Sequence, residues 1–333
     1  MPGPQPPTKT HELLALMVGL VLSLHPAHGK AADAGAFPAK PIRIVIGFTP
    51  GGGPDITARL IGQRLTESWK QQVVVDNRPG AGGTIAAHTV ARANPDGYTL
   101  LSVSSAHAVA PSVYARLPYD TLNDFASITL TANGPALLLV SPATGVKSAK
   151  DLIALAKAKP GQLNFSSAGV GSGTHFAAEL FRIMAGIEVV HVPLKGIPEA
   201  IIETISGRVQ FFVSPFASAI NLVKEGKAVA VAVTSAQRMA LTPDLPTVSE
   251  SGLPGYRWDF WYALLAPAKT PQPVTRRLND EVTRILRLPD TRERWAALGA
   301  EPTPTMPAEL DKLIVEELAN YAKIARAAGI KPQ

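Results

Sequence analysis

Four segments built from glycine, serine, threonine and proline carry the clearest chemical signal in this sequence. They are residues 48–55, 78–84, 166–174 and 193–198, and each joins an apolar run to a stretch with helical periodicity. Glycine lets a backbone approach a ligand closely, and the N–H groups and dipole at a helix start favour an anion. Together the segments predict a carboxylate or phosphate site without an arginine clamp, although segment 78–84 taken alone is interpreted as a tight turn.

These segments do not match the patterns of catalytic or metal-binding sites. Residues 169–173 lack the third glycine of a dinucleotide motif, and no Gly-Lys-Ser/Thr sequence follows a glycine cluster. His175 and Glu179 are four residues apart on a predicted helix, but a metal site needs more ligands than this pair. Ser172 lies in no GxSxG elbow. We expect no catalytic residue, no metal and no cofactor, and we expect His175 to contact a ligand or to hold its loop.

The glycine-rich segments are positioned by strands and helices that alternate along the chain. β-branched apolar runs predict strands, and apolar residues at helical spacing predict helices, three of them at residues 149–158, 273–286 and 308–328. The expected strands are residues 42–48, 73–75, 98–103, 137–140, 163–166, 189–192, 209–213, 228–234 and 262–266. This βα repeat predicts an α/β fold with mainly parallel pairing, in which ligands bind beyond the carboxyl ends of the strands.

The composition is that of a globular protein with room for about two domains. The 333 residues are 46% hydrophobic and 17% charged, which excludes a disordered or fibrous chain. Lys and Arg outnumber Asp and Glu by 32 to 26, and the net charge of +6 favours anionic partners. Residues 276–294 alternate in charge as a solvated helix face does, and no basic stripe with interleaved aromatics predicts nucleic-acid binding.

The N-terminus predicts export. Residues 13–24 form an uncharged apolar block that is too short to span a membrane but suits the h-region of a secretory signal peptide. We expect residues 1–29 to be the signal peptide, with cleavage after Gly29 or Ala36, and the alternative is a buried core helix. Because the chain has no cysteine, no lipid anchor forms on a mature N-terminal Cys, and a soluble protein outside the cytoplasm is expected.

Nine motifs occur in a fixed order after residue 38. They are KPIRIVIGFTPGGGPD (40–55), VDNRPGAGGT (75–84), NPDGYTL (94–100), LPYD (117–120), SAGVGS (167–172) with His175, KG (195–196), VTS (233–235), PDLPT (243–247) and LAPA (265–268). In type, order and spacing they resemble the Bug-type solute receptors of tripartite tricarboxylate transporters. The resemblance extends over nearly all of the chain beyond the expected signal peptide.

This resemblance implies a two-lobed periplasmic binding protein of type II-like α/β fold with two hinge-crossing strands. Residues 137–141 and 262–266 are the expected crossings, with lobe 1 at 38–136 plus 254–333 and lobe 2 at 137–253. The implied protein is not an enzyme. It captures a small carboxylate-bearing metabolite in the periplasm of a Gram-negative bacterium and delivers it, as a monomer, to the inner-membrane permease subunits of the transporter.

The resemblance also places the ligand between the loop after the first strand and the serine- and glycine-rich loop of lobe 2, with ordered waters assisting. The expected ligand-binding residues are Phe48, Thr49, Pro50, Gly51, Gly52, Gly53, Asp55, Ser104, Ser105, Ser166, Ser167, Ala168, Gly169, Gly171, Ser172, His175, Lys195, Gly196, Ser214 and Thr247.

One departure from the family pattern bears on the ligand. Many relatives carry an acid followed by Asn where this chain has Ser214-Pro215, and a serine cannot pair with the ammonium of an amino acid. The expected ligand is a mono-, di- or tricarboxylate without an amino group, aromatic acids included, because Phe212, Phe216, Phe260 and Trp261 lie nearby in sequence; packing in the core is the alternative for these aromatics.

Two other functions stay open from sequence alone. One is an exported hydrolase that uses His175 with Ser172 or Asp55. The other keeps the fold but makes the protein a ligand-sensing partner of a membrane kinase, since sensing and transport both use closure around a ligand.

Overall fold

The computed structural model describes residues 1–3 and 37–332, and in them the chain forms nine β-strands and ten α-helices. The strands are β1 (Ile42–Ile46), β2 (Val73–Asn77), β3 (Thr99–Ser104), β4 (Phe125–Val140), β5 (Asn164–Ser167), β6 (Val190–Pro193), β7 (Phe211–Pro215), β8 (Val229–Val233) and β9 (Asp259–Pro267).

The helices alternate with these strands in the first two thirds of the chain and follow one another at the C-terminus. They are α1 (Gly53–Trp69), α2 (Thr84–Ala91), α3 (Ala106–Val113), α4 (Ala149–Ala158), α5 (Gly173–Ala185), α6 (Ile197–Ile205), α7 (Phe216–Lys224), α8 (Gln272–Arg287), α9 (Pro289–Ala297) and α10 (Pro307–Ala328).

Two five-stranded sheets share the long strand β4. The first sheet has the order β2-β1-β3-β9-β4 and the second has β8-β4-β7-β5-β6. Residues 125–135 of β4 pair with β9, and residues 136–140 pair with β7 and β8. One continuous strand therefore carries the chain from the first sheet into the second, and a mixed α/β fold with two similar halves results.

The pairing corrects two expectations from the sequence. Four of the strand pairs are parallel and four are antiparallel, because β4 and β9 run against their neighbours, so the sheets are mixed and not mainly parallel. The transfers between sheets also lie slightly earlier than predicted. β4 leaves the first sheet at Pro135 and enters the second at Ala136. β9 pairs within the first sheet, and just before it Trp258 N–H donates to the carbonyl of Thr234, which follows β8 in the second half. The lobe boundaries themselves stay a prediction.

The helix faces follow the apolar periodicity. Val274, Leu278, Val282 and Ile285 of α8 are buried, and the charged residues between them face outward. Apolar side chains from both sheets form one large buried cluster, and a smaller one lies between the second sheet and helices α6 and α7. Within the described part of the chain, no helix has the length and apolar character required to span a bilayer. The predicted signal peptide and its cleavage sites lie outside the described residues.

Candidate ligand-binding site

A small cavity lies between the two sheets at the carboxyl ends of their parallel strands. We call it the inner cavity; its volume is about 20 Å³, enough for one water-sized group. It is lined by Phe48, Pro54, Ser104, Ala168, Ser172, Gly173, Thr174, Ile197, Pro215, Phe260 and Tyr262. None of these side chains carries a charge.

Three helices begin at this cavity. α1 contributes Pro54, α5 contributes Gly173 and Thr174, and α6 contributes Ile197, all from the first turn of their helix. A helix start leaves backbone N–H groups without partners inside the helix and carries a partial positive charge. The dipoles of three helices, one from the first sheet and two from the second, therefore favour an anion at one place.

The loop before α5 uses most of its own N–H groups to fix its shape. Ala168 N–H bonds the Thr174 hydroxyl at 2.9 Å, His175 N–H bonds the Ser172 hydroxyl at 3.2 Å, and Ser172 N–H bonds the Gly169 carbonyl at 3.1 Å. The Ser172 side chain is thus the N-cap of α5. Among the described residues, no acceptor is seen for the N–H groups of Gly173 and Thr174, and both residues line the inner cavity.

Polar side chains beneath the cavity surface hold this loop in place. The His175 ring accepts a hydrogen bond from Gly171 N–H at 3.4 Å and stacks on the ring of His191 at a centroid distance of 4.0 Å. His191 in turn contacts the Ser167 hydroxyl at 2.6 Å. Burial lowers the pKa of His175 to about 4 and that of His191 to about 3, so both rings are neutral near pH 7. His175 therefore holds its loop, the second of the two roles expected for it.

This arrangement is unlike a catalytic serine site. The Ser172 hydroxyl hydrogen-bonds with the Thr174 hydroxyl and accepts from His175 N–H, whereas the His175 ring accepts from Gly171 N–H. The ring is therefore not placed to take a proton from the Ser172 hydroxyl. In the described ranges, no group of three or more His, Asp or Glu side chains could hold a metal ion.

Asp55 plays the matching supporting role in the loop before α1. Its carboxylate accepts hydrogen bonds from Gly51 N–H, from Arg59 and from the Asn77 amide, each at 3.0 Å. Burial raises the pKa of Asp55, but the hydrogen bonds from Arg59, Gly51 and Asn77 outweigh burial and hold the pKa below its ordinary value. The Asp55 carboxylate is thus ionised and committed to the loop.

Ser105 faces the start of α5 from the first sheet. Its hydroxyl is buried close to the Tyr321 hydroxyl, no well-formed hydrogen bond to it is found in the described part of the chain, and it lies so close to Gly173 that a Cβ at that position would overlap it. A buried hydroxyl without a partner is costly, which is the condition that a ligand or water oxygen would relieve.

A second, larger space adjoins the first and shares Phe48 and Ala168 with it. This outer cavity has a volume of about 440 Å³. It is lined by Gly47, Phe48, Thr49, Pro79, Gly80, Ala81, Gly82, Tyr114, Ala168, Gly169, Val170, Leu194 and Lys195. Within the described ranges, Lys195 is the only charged residue that lines it, and its side chain is exposed to solvent.

The two halves touch across the cleft. The Ser218 hydroxyl donates to the Gly51 carbonyl at 3.3 Å. The Thr49 side chain lies against the α-carbon of Gly196, leaving no room for a side chain there, and Gly51 and Gly52 approach Pro198 and Ile197. The loop after β1 thus packs directly on the start of α6.

The expected ligand residues fall into three groups in the structure. Those that line a cavity are Phe48, Thr49, Ser104, Ala168, Gly169, Ser172 and Lys195. Those at the contacts between the halves or at helix starts beside the cavities are Gly51, Gly52, Gly53, Ser105 and Gly196. Those that do not line either cavity and support or flank the loops are Pro50, Asp55, Ser166, Ser167, Gly171, His175, Ser214 and Thr247.

Two members of the last group, Ser214 and Thr247, form hydrogen bonds within the second half, away from both linings. The Ser214 hydroxyl is buried and donates to the Pro215 carbonyl at 3.2 Å, and its neighbour Pro215 lines the inner cavity instead. Thr247 caps a turn by accepting from Glu250 N–H at 3.0 Å.

Several lining residues were not among the expected ligand-binding residues. Phe260 and Tyr262 reach the inner cavity because β9 lies between β3 and β4, a neighbourhood that no local pattern indicates. Residues 79–82 line the outer cavity although their segment was interpreted as a turn only. Among the four aromatics considered from sequence, Phe260 lines the cavity, whereas Phe212, Phe216 and Trp261 are buried in the core.

Comparison with known proteins agrees with this architecture. Residues 57–330 match the model of the family described as tripartite tricarboxylate transporter family receptor. The UPF0065 protein in the tcbD-tcbE intergenic region of Pseudomonas sp. (strain P51) is 35% identical over 310 residues, which are 93% of this chain and 92% of that protein. Protein BugT of Bordetella pertussis is 33% identical over 301 residues, covering 90% of this chain and 92% of BugT.

Two solved structures show the same fold with carboxylates bound. R. palustris Rpa4515 with adipate superposes with a TM-score of 0.87 at 35% identity, over 89% of this chain and 100% of the other. MatC (Rpa3494) from Rhodopseudomonas palustris with bound malate gives a TM-score of 0.82 at 31% identity, over 87% of this chain and 100% of MatC.

Proposed function

The chain belongs to the family of tripartite tricarboxylate transporter receptors, and from this premise we propose that it binds a small carboxylate-bearing metabolite between its two halves and delivers it to a tripartite tricarboxylate-type transporter. The proposed site of action is the periplasm, after removal of the signal peptide. The proposed partners are the inner-membrane permease subunits, and the receptor acts as a monomer without catalysing a reaction.

The observation that carries the proposal is the convergence of α1, α5 and α6 on an uncharged cavity. Three helix starts can bind a carboxylate through N–H groups and dipoles without a cationic side chain. The hydroxyls of Ser104, Ser172 and Thr174 add donors at the same place. Because the three helices come from both halves, an anion there favours closure of the cleft.

The first test is a thermal-shift and calorimetric titration of the mature protein with mono-, di- and tricarboxylates. A ligand that binds only the folded state raises the free energy of unfolding by about 2.7 kcal/mol at 100 times its Kd. We expect saturable binding of at least one carboxylate. If none binds and mass spectrometry of the denatured protein shows no co-purified acid, the proposal is wrong.

The second test places a charge at a helix start. Ile197→Glu puts a carboxylate into the inner cavity at a position where acidic residues suit a helix, and Ile197→Gln is the neutral control of equal size. We expect the Glu variant to bind the best carboxylate at least 100-fold more weakly than the Gln variant. Equal binding by the two would contradict an anion site at this cavity.

A further inference from the structure

We propose that the ligand is a monocarboxylate whose remaining body is apolar and uncharged. This inference rests on the proposed function and narrows it to one substrate class. It follows from which charged side chains line the two cavities: one lysine and, among the described residues, no carboxylate.

Among the described residues, the linings hold no carboxylate that could pair with an ammonium group. No acidic side chain lines the inner or the outer cavity. Asp55 is committed to Gly51, Arg59 and Asn77, and the buried Oε2 atom of Glu199 lies against Gly196 and outside both linings. A buried cation without a counter-charge is strongly disfavoured. The site therefore selects against amino acids.

A second carboxylate finds only a weak partner. Lys195 is the single cation in the linings, and it is solvent-exposed. Exposed ion pairs strengthen binding by no more than about fivefold. The rest of the outer cavity presents Phe48, Leu194, Val170 and other apolar groups, beside which a carboxylate would lose its hydration. The balance favours an apolar body over a second charge.

The proposal separates this chain from the neighbour solved with adipate. The test uses six-carbon acids that differ at one end only: hexanoate, adipate and 6-aminohexanoate, with norleucine as the α-amino analogue. Four- and eight-carbon sets and the pair 3-phenylpropanoate and phenylalanine are titrated in parallel by calorimetry. In every set with a member that binds, we expect the simple monocarboxylate to bind at least tenfold more tightly than the dicarboxylate or the amino acids of the same set.

The outcomes distinguish the two proposals. A dicarboxylate or amino acid that binds as tightly as its uncharged-end counterpart overturns the inference but leaves the receptor function intact. If no acid binds, the proposed function itself fails.

A variant tests the role of the outer cavity directly. Leu194→Arg adds a cation to its wall, and Leu194→Gln is the neutral control. The measured quantity is the ratio of the affinity for adipate to the affinity for hexanoate. We expect this ratio to be at least tenfold higher in the Arg variant than in the Gln variant. An unchanged ratio would mean that the ligand body does not lie against this wall, which overturns the inference.

Discussion

At the scale of single residues, His175 and His191 show how titratable groups shape a loop through contacts with one another and with the backbone. His175 was singled out from sequence as a ligand or loop residue, and the structure shows its ring bonded to Gly171 N–H and stacked on His191. Sequence spacing identified the residue but not its role, because the stacking partner is contributed by β6, sixteen residues further along the chain. Whether a polar residue faces a cavity or supports it depends on such distant neighbours.

The neutral state of His175 predicts an acid-sensitive stability. Its pKa is about 4 when folded, below the ordinary value of 6.5, so the unfolded chain binds more protons and stability falls as the pH drops from about 6.5 toward 4. Between pH 7.5 and pH 5 this group alone removes about 2 kcal/mol from the free energy of unfolding. Urea denaturation at pH 7.5 and at pH 5 measures this loss in the free energy of unfolding. We expect the loss to be smaller in His175→Gln than in the wild type by more than about 1 kcal/mol.

The comparison controls for other groups that titrate in the same range. His191 and His107, whose pKa burial also lowers, contribute to both proteins. Glu179 acts in the opposite direction, because burial raises its pKa and the folded state gains protons there first. Equal pH dependence in the variant and the wild type would contradict a neutral, buried His175.

At the scale of elements, the short apolar strands and amphipathic helices were predictable, whereas the full lengths of the two strands that include the expected crossings, β4 and β9, were not. Helix α4 spans the predicted residues 149–158, because Ser148 caps its start by accepting from Asp151 N–H. The first part of β4 was missed because Ser127, Thr129 and Thr131 are polar yet buried. Their hydroxyls are partly satisfied by chain that lies far away, such as the Thr305 and Tyr262 carbonyls. No local pattern carries that information.

Arg182 links helix α5 to α10 by hydrogen bonds, beside the ring contact of Phe176 with Tyr321. Arg182 donates to the buried Glu179 carboxylate at 2.6 Å and to the Ala328 carbonyl at 3.0 Å. In Arg182→Met the carboxylate loses its cation, so we expect a loss of about 2 kcal/mol in the free energy of unfolding at pH 7.5, measured by urea denaturation.

The matched control for this prediction is the double variant Arg182→Met with Glu179→Gln. Removing the buried charge together with its partner should recover at least half of the loss, because the main cost is the unpaired carboxylate. If the double variant is less stable than the single one, the ion pair is not what holds α5 at this place.

At the scale of the whole molecule, the contacts between the halves are as important as the cavity walls. The general family and the loop after β1 were readable from sequence, since their motifs are contiguous. The cavity was only partly predictable, because its walls come from six separate segments of the chain and depend on the position of β9 between β3 and β4. Which glycines are needed at the contact became clear only from the structure.

Closure predicts a steric test at Gly196. Its backbone is extended, a conformation that alanine adopts without strain, but in the structure an added Cβ would overlap the Thr49 hydroxyl and lie 2.8 Å from the flexible Glu199 carboxylate. The Thr49 contact joins the two halves, and we propose that it is lost when they separate in the ligand-free protein. We expect Gly196→Ala to bind carboxylate at least tenfold more weakly with an unchanged melting temperature without ligand, and to show no ligand-induced compaction in small-angle X-ray scattering.

Shortening the facing side chain is the control for this variant. Thr49→Ala in the Gly196→Ala background removes the overlapping hydroxyl and should restore most of the affinity. If binding does not recover, the loss has another cause and the Thr49 contact does not limit closure.

The inner cavity also determines how the protein meets a changing environment. The proposed anion site consists of buried helix starts and hydroxyls, and among the described residues no Asp, Glu, His, Lys or Arg side chain lines it. Mobile ions screen such buried partners far less than exposed charges. We expect a receptor with such a site to keep its affinity for the ligand as the ionic strength of the medium rises. Uptake would then depend on the concentration of the nutrient and hardly on the salt concentration around it.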